Sequence, residues 1–201
     1  MNEGLYIERP YIFWSIKMNN FKTIGLILVA GTAITYITHT QAADTPPFFG
    51  DESDVKFAQA LWTSMENSNL VGDDSINVYP FKGNQPHGAI QQVLDTDIDV
   101  NGRTSRVIVK RNHGGKDITV KSVYADPVSN LKAVTVMFKR EAGYDSENLD
   151  WFWVKYTSAG VIDKNPKGTK LAGRIGKDGA GGCLVCHKAI GGSDLETLTA
   201  K

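Results

Sequence analysis

Near its C-terminus the chain carries Cys183-Leu184-Val185-Cys186-His187, which contains its only two cysteines. No other feature constrains the fold as much. The Cys-x-x-Cys-His pattern is that of covalent c-type haem attachment. Two thiols about one helical turn apart can each form a thioether with one haem vinyl group. The histidine that follows is then carried beneath the ring, where its imidazole can bind iron. Cys183 and Cys186 are therefore expected to anchor one covalent haem c, with His187 as the proximal iron ligand. A zinc site would want four ligands, and no second Cys/His pair is available. A thioredoxin-like dithiol would sit near a βαβ pattern, which this chain lacks. A structural disulfide is the plain alternative.

The N-terminal part reads as a segment to be removed. Ile24 to Ile37 is an apolar run with Lys22 just before it, ending in Thr40-Gln41-Ala42. These are the marks of a secretory signal peptide over residues 1–42. The run is short for a membrane span, which needs about 20 apolar residues. An uncleaved N-terminal anchor is the other reading. Met18 opens a conventional signal peptide, so residues 1–17 read as an over-called start or an unusual leader. Export agrees with the motif, since thioether attachment to haem takes place outside the cytoplasm in bacteria. The expected location is the periplasm. Residues 43–201 then form a single haem-binding domain.

Along that domain, Ala43 to Gly50 is a Pro-containing approach. Ser53 is positioned to cap a helix running to about Asn67. Val55, Ala58, Leu61, Trp62 and Met65 recur at helical spacing as one apolar stripe. That stripe reads as core, with Trp62 or Met65 also able to touch a haem edge. Val71 to Gly88 is rich in Gly, Asp, Asn and Pro, and reads as loop with one short extended piece. From Ala89 the texture turns to β. Ala89–Leu94, Ser105–Arg111, Ile118–Tyr124, Ala133–Arg140 and Leu149–Tyr156 are rich in Val, Ile, Thr and aromatics. Turn signals separate them, at Asn101-Gly102, Gly114-Gly115, Pro127 to Asn130 and Gly143 to Asn148. Val107 and Val109 alternate with Arg106, Ile108 and Lys110. Val134, Val136 and Phe138 alternate with Ala133, Thr135 and Met137. This period of two predicts an antiparallel sheet with two different faces. The glycines between Gly173 and Gly182 would let backbone approach a flat cofactor closely. The fold class expected is α+β and mainly β, an antiparallel sheet with a few helices around one covalent c-type haem.

The common electron-carrying cytochromes place the motif near the N-terminus and complete the iron with a distant methionine. Here no Met follows His187, and the chain beyond residue 42 has only Met65 and Met137. Four amphipathic helices, as in the helical cytochromes c-prime, are not present either. Instead the chain resembles the cytochrome P-460 family and its relatives, the β-sheet cytochromes c-prime. The resemblance runs from about Ala60 to His187. It rests on Pro86-His87-Gly88, Val107-Ile108-Val109-Lys110, Gly143-Tyr144 and Asp150-Trp151-Phe152-Trp153-Val154-Lys155-Tyr156, closed by the haem motif. It implies an antiparallel sheet with helices packed around one haem.

The resemblance also implies a role for Lys110. Family members that oxidise hydroxylamine have a strand lysine at the matching place, bonded covalently to the haem ring, which alters the iron's electronics. Lys110 shares a face with Arg106 and Ile108, and pattern alone does not say whether that face meets haem or solvent. His87 and His113 are the other histidines of the domain. Either is a candidate sixth iron ligand. His113 sits in an expected exposed turn, and His87 is expected to hold its loop by hydrogen bonds and to border the haem pocket. Trp151 and Trp153 share a strand face, with Phe152 and Tyr156 on the other. Trp153 is expected at the pocket, where bulky apolar groups set access and polarity. Asp145, Glu147 and Asp150 are the candidates for a distal proton acceptor by proximity to the aromatic strand.

The functions expected follow from an iron with an open or weakly filled distal site. The first is redox handling of small nitrogen species, with hydroxylamine or nitric oxide as substrate and a soluble electron-transfer partner. The second is non-enzymatic binding of nitric oxide or carbon monoxide. The third is six-coordinate electron carriage. With 22 basic and 22 acidic residues the chain is neutral overall. It lacks the basic stripe that a nucleic-acid partner would want. A homodimer is a further expectation, twofold assemblies being common among small soluble proteins.

Overall fold

The computed structural model describes residues 48–175, 183–190 and 195–196. The expected leader and the glycines at 176–182 lie outside the described residues.

The first helix, α1, spans Glu52–Asn67. Its cap is Asp51, whose carboxylate accepts from the Ser53 amide at 2.8 Å. The helix thus begins before the expected cap, and Ser53 lies inside its first turn. Val55, Ala58, Leu61 and Met65 are buried, so the apolar stripe faces the interior as its spacing predicts.

Six strands follow as one antiparallel sheet in chain order. They are β1 (Phe81–Lys82), β2 (Ile90–Val100), β3 (Arg103–His113), β4 (Leu131–Lys139), β5 (Trp151–Thr157) and β6 (Ala172–Gly173). β2 and β3 are longer than expected. Beyond Leu94, exposed Asp97 and Asp99 alternate with buried Ile98 and Val100, so the pleat continues to the hairpin. Asn101 and Gly102 both take positive φ, 56° and 81°. That is the turn geometry which matches the twist of a two-residue hairpin. β5 starts at Trp151 because Leu149 and Asp150 adopt left-handed backbone, with φ of 58° and 55°.

One expected strand is a helix. Ile118–Tyr124 was read as β from its Val, Ile and Tyr content, but Val120–Ala125 forms α2. Thr119 and Ser122 make a reciprocal capping box at its start. The cap chemistry outweighs the β-propensity of a segment in which, within the helix, only Val123 is buried.

The two sheet faces pack differently. Val107, Val109, Val134, Val136, Phe138, Phe152 and Tyr156 join the α1 stripe in the larger core. The Tyr156 hydroxyl donates to the Ala58 carbonyl at 2.7 Å, tying β5 to α1. Each fully buried apolar side chain here contributes about 1.5–3 kcal/mol. Ile108, Met137, Trp151 and Trp153 point the other way and pack with Ile175, Leu184 and Leu195. Leu184 belongs to the last helix, α3, Cys183–Ile190. Met65 and Trp62 therefore sit with the α1 core, across the sheet from the motif. The expectation that either touches a haem edge is corrected by that placement. No helix among the described residues is long and apolar enough to cross a membrane.

Candidate functional site

α3 carries the whole Cys-x-x-Cys-His motif in its first five residues. Cys183, Leu184 and His187 form its inner side, while Val185 and Cys186 are exposed. Beneath that inner side lies a cavity of about 420 Å³. This is within the range of small-molecule and cofactor sites, about 300–1,000 Å³. Cys183 and His187 both line it. Cys186, one turn further on, faces outward.

His187 is buried, 4% exposed. Its Nδ1 lies 2.5 Å from the Leu195 carbonyl. A carbonyl can only accept, so Nδ1 carries the proton and Nε2 is the nitrogen free to bind a metal. A histidine ligand is held in this way by its second shell. Burial lowers its pKa and so favours the neutral ring; the hydrogen bond to Leu195 opposes this and the charge of Lys110 adds to it. A neutral imidazole is the form that ligates. Trp153 packs edge-on against the same ring, with centroids 4.8 Å apart.

The opposite wall is the sheet. Ile108, Met137 and Trp153 are in register across β3, β4 and β5, and so are Lys110, Thr135 and Lys155. All six line the cavity. Lys110 thus lies on the face toward the motif, 4% exposed, and burial pulls its ammonium down to about 8. A lysine in that range gives up its proton far more readily than one in water.

His87 also lines the cavity. Its Nδ1 is 3.3 Å from the Thr135 hydroxyl, which in turn accepts from Asn112 Nδ2 at 3.1 Å. Its ring stands 6.1 Å from that of His187 at an interplanar angle of 83°. Burial first, then the charges of Lys110, His187 and Lys155, lower its pKa to about 4. His87 holds its loop by hydrogen bonds as expected, its amide donating to the Asn84 carbonyl at 3.0 Å, and its ring adds a bond across to β4.

His113 is no turn residue. It ends β3, fully buried, with Nε2 3.2 Å from Gln92 Oε1. The strand runs two residues beyond its expected end at Arg111, with a register shift between Asn112 and His113. Asp145, Glu147 and Asp150 do not line the cavity. Asp150 accepts from the amides of Gly143 and Asp145, and Asp145 binds Asn148 Nδ2, so these acids build the turn before β5. Met137 packs in the apolar cluster with Ile108, Trp151 and Trp153 and also lines the cavity. Its phase opposite Phe138 carried that signal.

The polar balance of the cavity suits a flat group with an anionic edge. Trp153 Nε1 and Asn112 Oδ1 are buried without a hydrogen-bond partner among the described residues. Leaving such atoms unpaired costs about 1–3 kcal/mol each, so a ligand with polar edges would offset that cost. Lys132 and Lys155 add positive charge at the lining, and no carboxylate does so among the described residues. No group of three or more His, Cys, Asp or Glu is placed to hold a bare metal ion among the described residues. An iron carried by a tetrapyrrole needs only one or two axial ligands from the chain, so the residues present fit haem c.

No family model, curated protein or solved structure matches this chain. Its reading rests on its own residues and geometry.

Proposed function

We propose that the chain is an exported, monohaem c-type cytochrome of the cytochrome P-460 kind, acting on small nitrogen species. One observation carries the reading. The histidine of a Cys-x-x-Cys-His motif is buried with Nδ1 tied to a carbonyl, beside a 420 Å³ cavity between α3 and the sheet. Cys183 and Cys186 anchor the ring and His187 holds its iron. When bound, the haem supplies a one-electron centre that can bind a small ligand. The chain supplies an apolar wall of Ile108, Met137 and Trp153, which keeps bulk water from that ligand. Lys110 lines the same cavity, which supports the expectation, implied by the family resemblance, that its amine bonds to the ring and distorts it. In this reading the haem would supply one-electron oxidation of hydroxylamine or nitric oxide, with a soluble carrier as the electron acceptor and the released protons passing to solvent. The test is turnover of hydroxylamine with an artificial electron acceptor. Activity no higher than that of free haem would refute the enzymatic reading.

A second reading is non-enzymatic binding of nitric oxide or carbon monoxide. The absence of a carboxylate from the described lining favours it, since hydroxylamine oxidation needs a proton acceptor. Titration of the ferrous protein with nitric oxide decides, and failure to bind would remove this reading.

A further inference from the structure

We infer that His87 is a second axial ligand to the iron, opposite His187, and is the group a small ligand must displace. The inference rests on the haem reading above and follows from how two imidazoles are held. His187 has Nδ1 on the Leu195 carbonyl, and His87 has Nδ1 against the Thr135 hydroxyl. The carbonyl fixes the proton of His187 on Nδ1 and leaves Nε2 for a metal; the Thr135 hydroxyl can accept from His87 Nδ1 in the same way, and in that tautomer Nε2 of His87 is left as well. Both rings border the same cavity.

The spacing agrees. Ring centroids are 6.1 Å apart. Two metal–imidazole bonds of about 2 Å each, added to the two ring half-widths, span a distance close to this. The interplanar angle of 83° is a crossed arrangement of axial imidazoles. His87 is also held firmly enough to act as a ligand. Its backbone amide donates to Asn84 at 3.0 Å, and the neighbouring Gly88 lies directly against the His113 carbonyl. Thr135 is fixed in turn by Asn112.

Other lining side chains could take the sixth position: His113 also lines the cavity but has Nε2 engaged by Gln92 Oε1 at 3.2 Å, and Met137 lies on the same wall. Met137, however, is locked in the apolar cluster with Ile108, Trp151 and Trp153. His87 sits outside that cluster, on the loop leading into β2. With its backbone fixed, the His87 ring can still rotate about its side-chain bonds, releasing Thr135, when a stronger ligand arrives. This reconciles a filled resting site with binding of small nitrogen species.

The experiment is the ferric absorption and electron paramagnetic resonance spectrum of the haem-loaded protein, beside His87→Ala and Thr135→Val. The wild type is expected to be six-coordinate and low-spin. His87→Ala is expected to become high-spin, to return to low-spin on adding imidazole, and to bind carbon monoxide at least tenfold faster in the ferrous state. Thr135→Val keeps the ring but removes its partner, so a mixed-spin population is expected; this variant serves if His87→Ala does not fold. A high-spin wild type, or a low-spin state that survives in His87→Ala, overturns the inference while leaving the haem reading intact. A wild type without covalent haem overturns both.

Discussion

Lys110 and His113 show what burial does to single groups. Lys110 lies on the cavity side of β3 with its pKa lowered to about 8 by desolvation. If its amine is bonded to the ring, the ferrous protein has a strongly red-shifted Soret band, and Lys110→Ala restores an ordinary c-type band. Ordinary bands in both proteins would retire the bond. His113 is neutral in the fold until about pH 4, through burial and then the nearby charge of Arg111. Unfolded, the same ring takes up its proton near pH 6.5. Between these values the unfolded state binds more protons, so stability is full above about pH 6.5 and falls as pH drops toward 4. One such group gives a slope of up to about 1.4 kcal/mol per pH unit. His113→Gln is expected to flatten the fall of the urea midpoint between pH 7 and 4.5, and an unchanged profile would contradict the assignment. The candidacy of Cys183, Cys186 and His187 as a haem site comes from spacing alone, and His87 is a pocket candidate in the sequence too; its bond to Thr135 is not legible there, because that partner lies 48 residues away on another strand.

At the scale of elements, alternation along β3 and β4 announced two faces, and both have the membership it implied. What alternation cannot say is which face meets which helix. That is settled by α1 covering the Val107 side and α3 the Ile108 side. α2 was misread because β-branched content was weighed above a local capping box. The segment after α3 carries its own device. Arg106 on β3 binds Asp95 at 2.7 Å and Glu196 at 2.6 Å, fastening the chain next to Leu195, whose carbonyl holds His187. The ion pairs are partly exposed, so Arg106→Gln should cost only about 0.2–1 kcal/mol of stability. Its larger effect is expected on the haem. A loosened Leu195 weakens the bond to Nδ1 and makes the imidazole a poorer donor, so the reduction potential rises. Redox titration checks this, and a potential equal to wild type would show that the strap does not position His187.

As a whole, the molecule is one sheet with unequal faces. The larger core under α1 supplies stability, and the other face, roofed in part by α3, keeps a cavity. In the proposed reading the ring would lie against β3, β4 and β5, whose residues line the cavity. Gly88 sits where the loop carrying His87 crosses the end of β3. Its φ is +90°, and a Cβ there would lie 2.6 Å from the His113 carbonyl. Gly88→Ala is therefore expected to lose about 2 kcal/mol and to misplace His87; a denaturation midpoint equal to wild type would contradict that crossing. The central claim is that Cys183 and Cys186 bind haem covalently. It is tested most directly by intact mass under denaturing conditions, after expression with a haem-maturation system. The account predicts a chain heavier by one haem, and no such gain in a Cys183→Ala, Cys186→Ala double variant. An unmodified mass, or one reduced by two hydrogens for a disulfide, would contradict it.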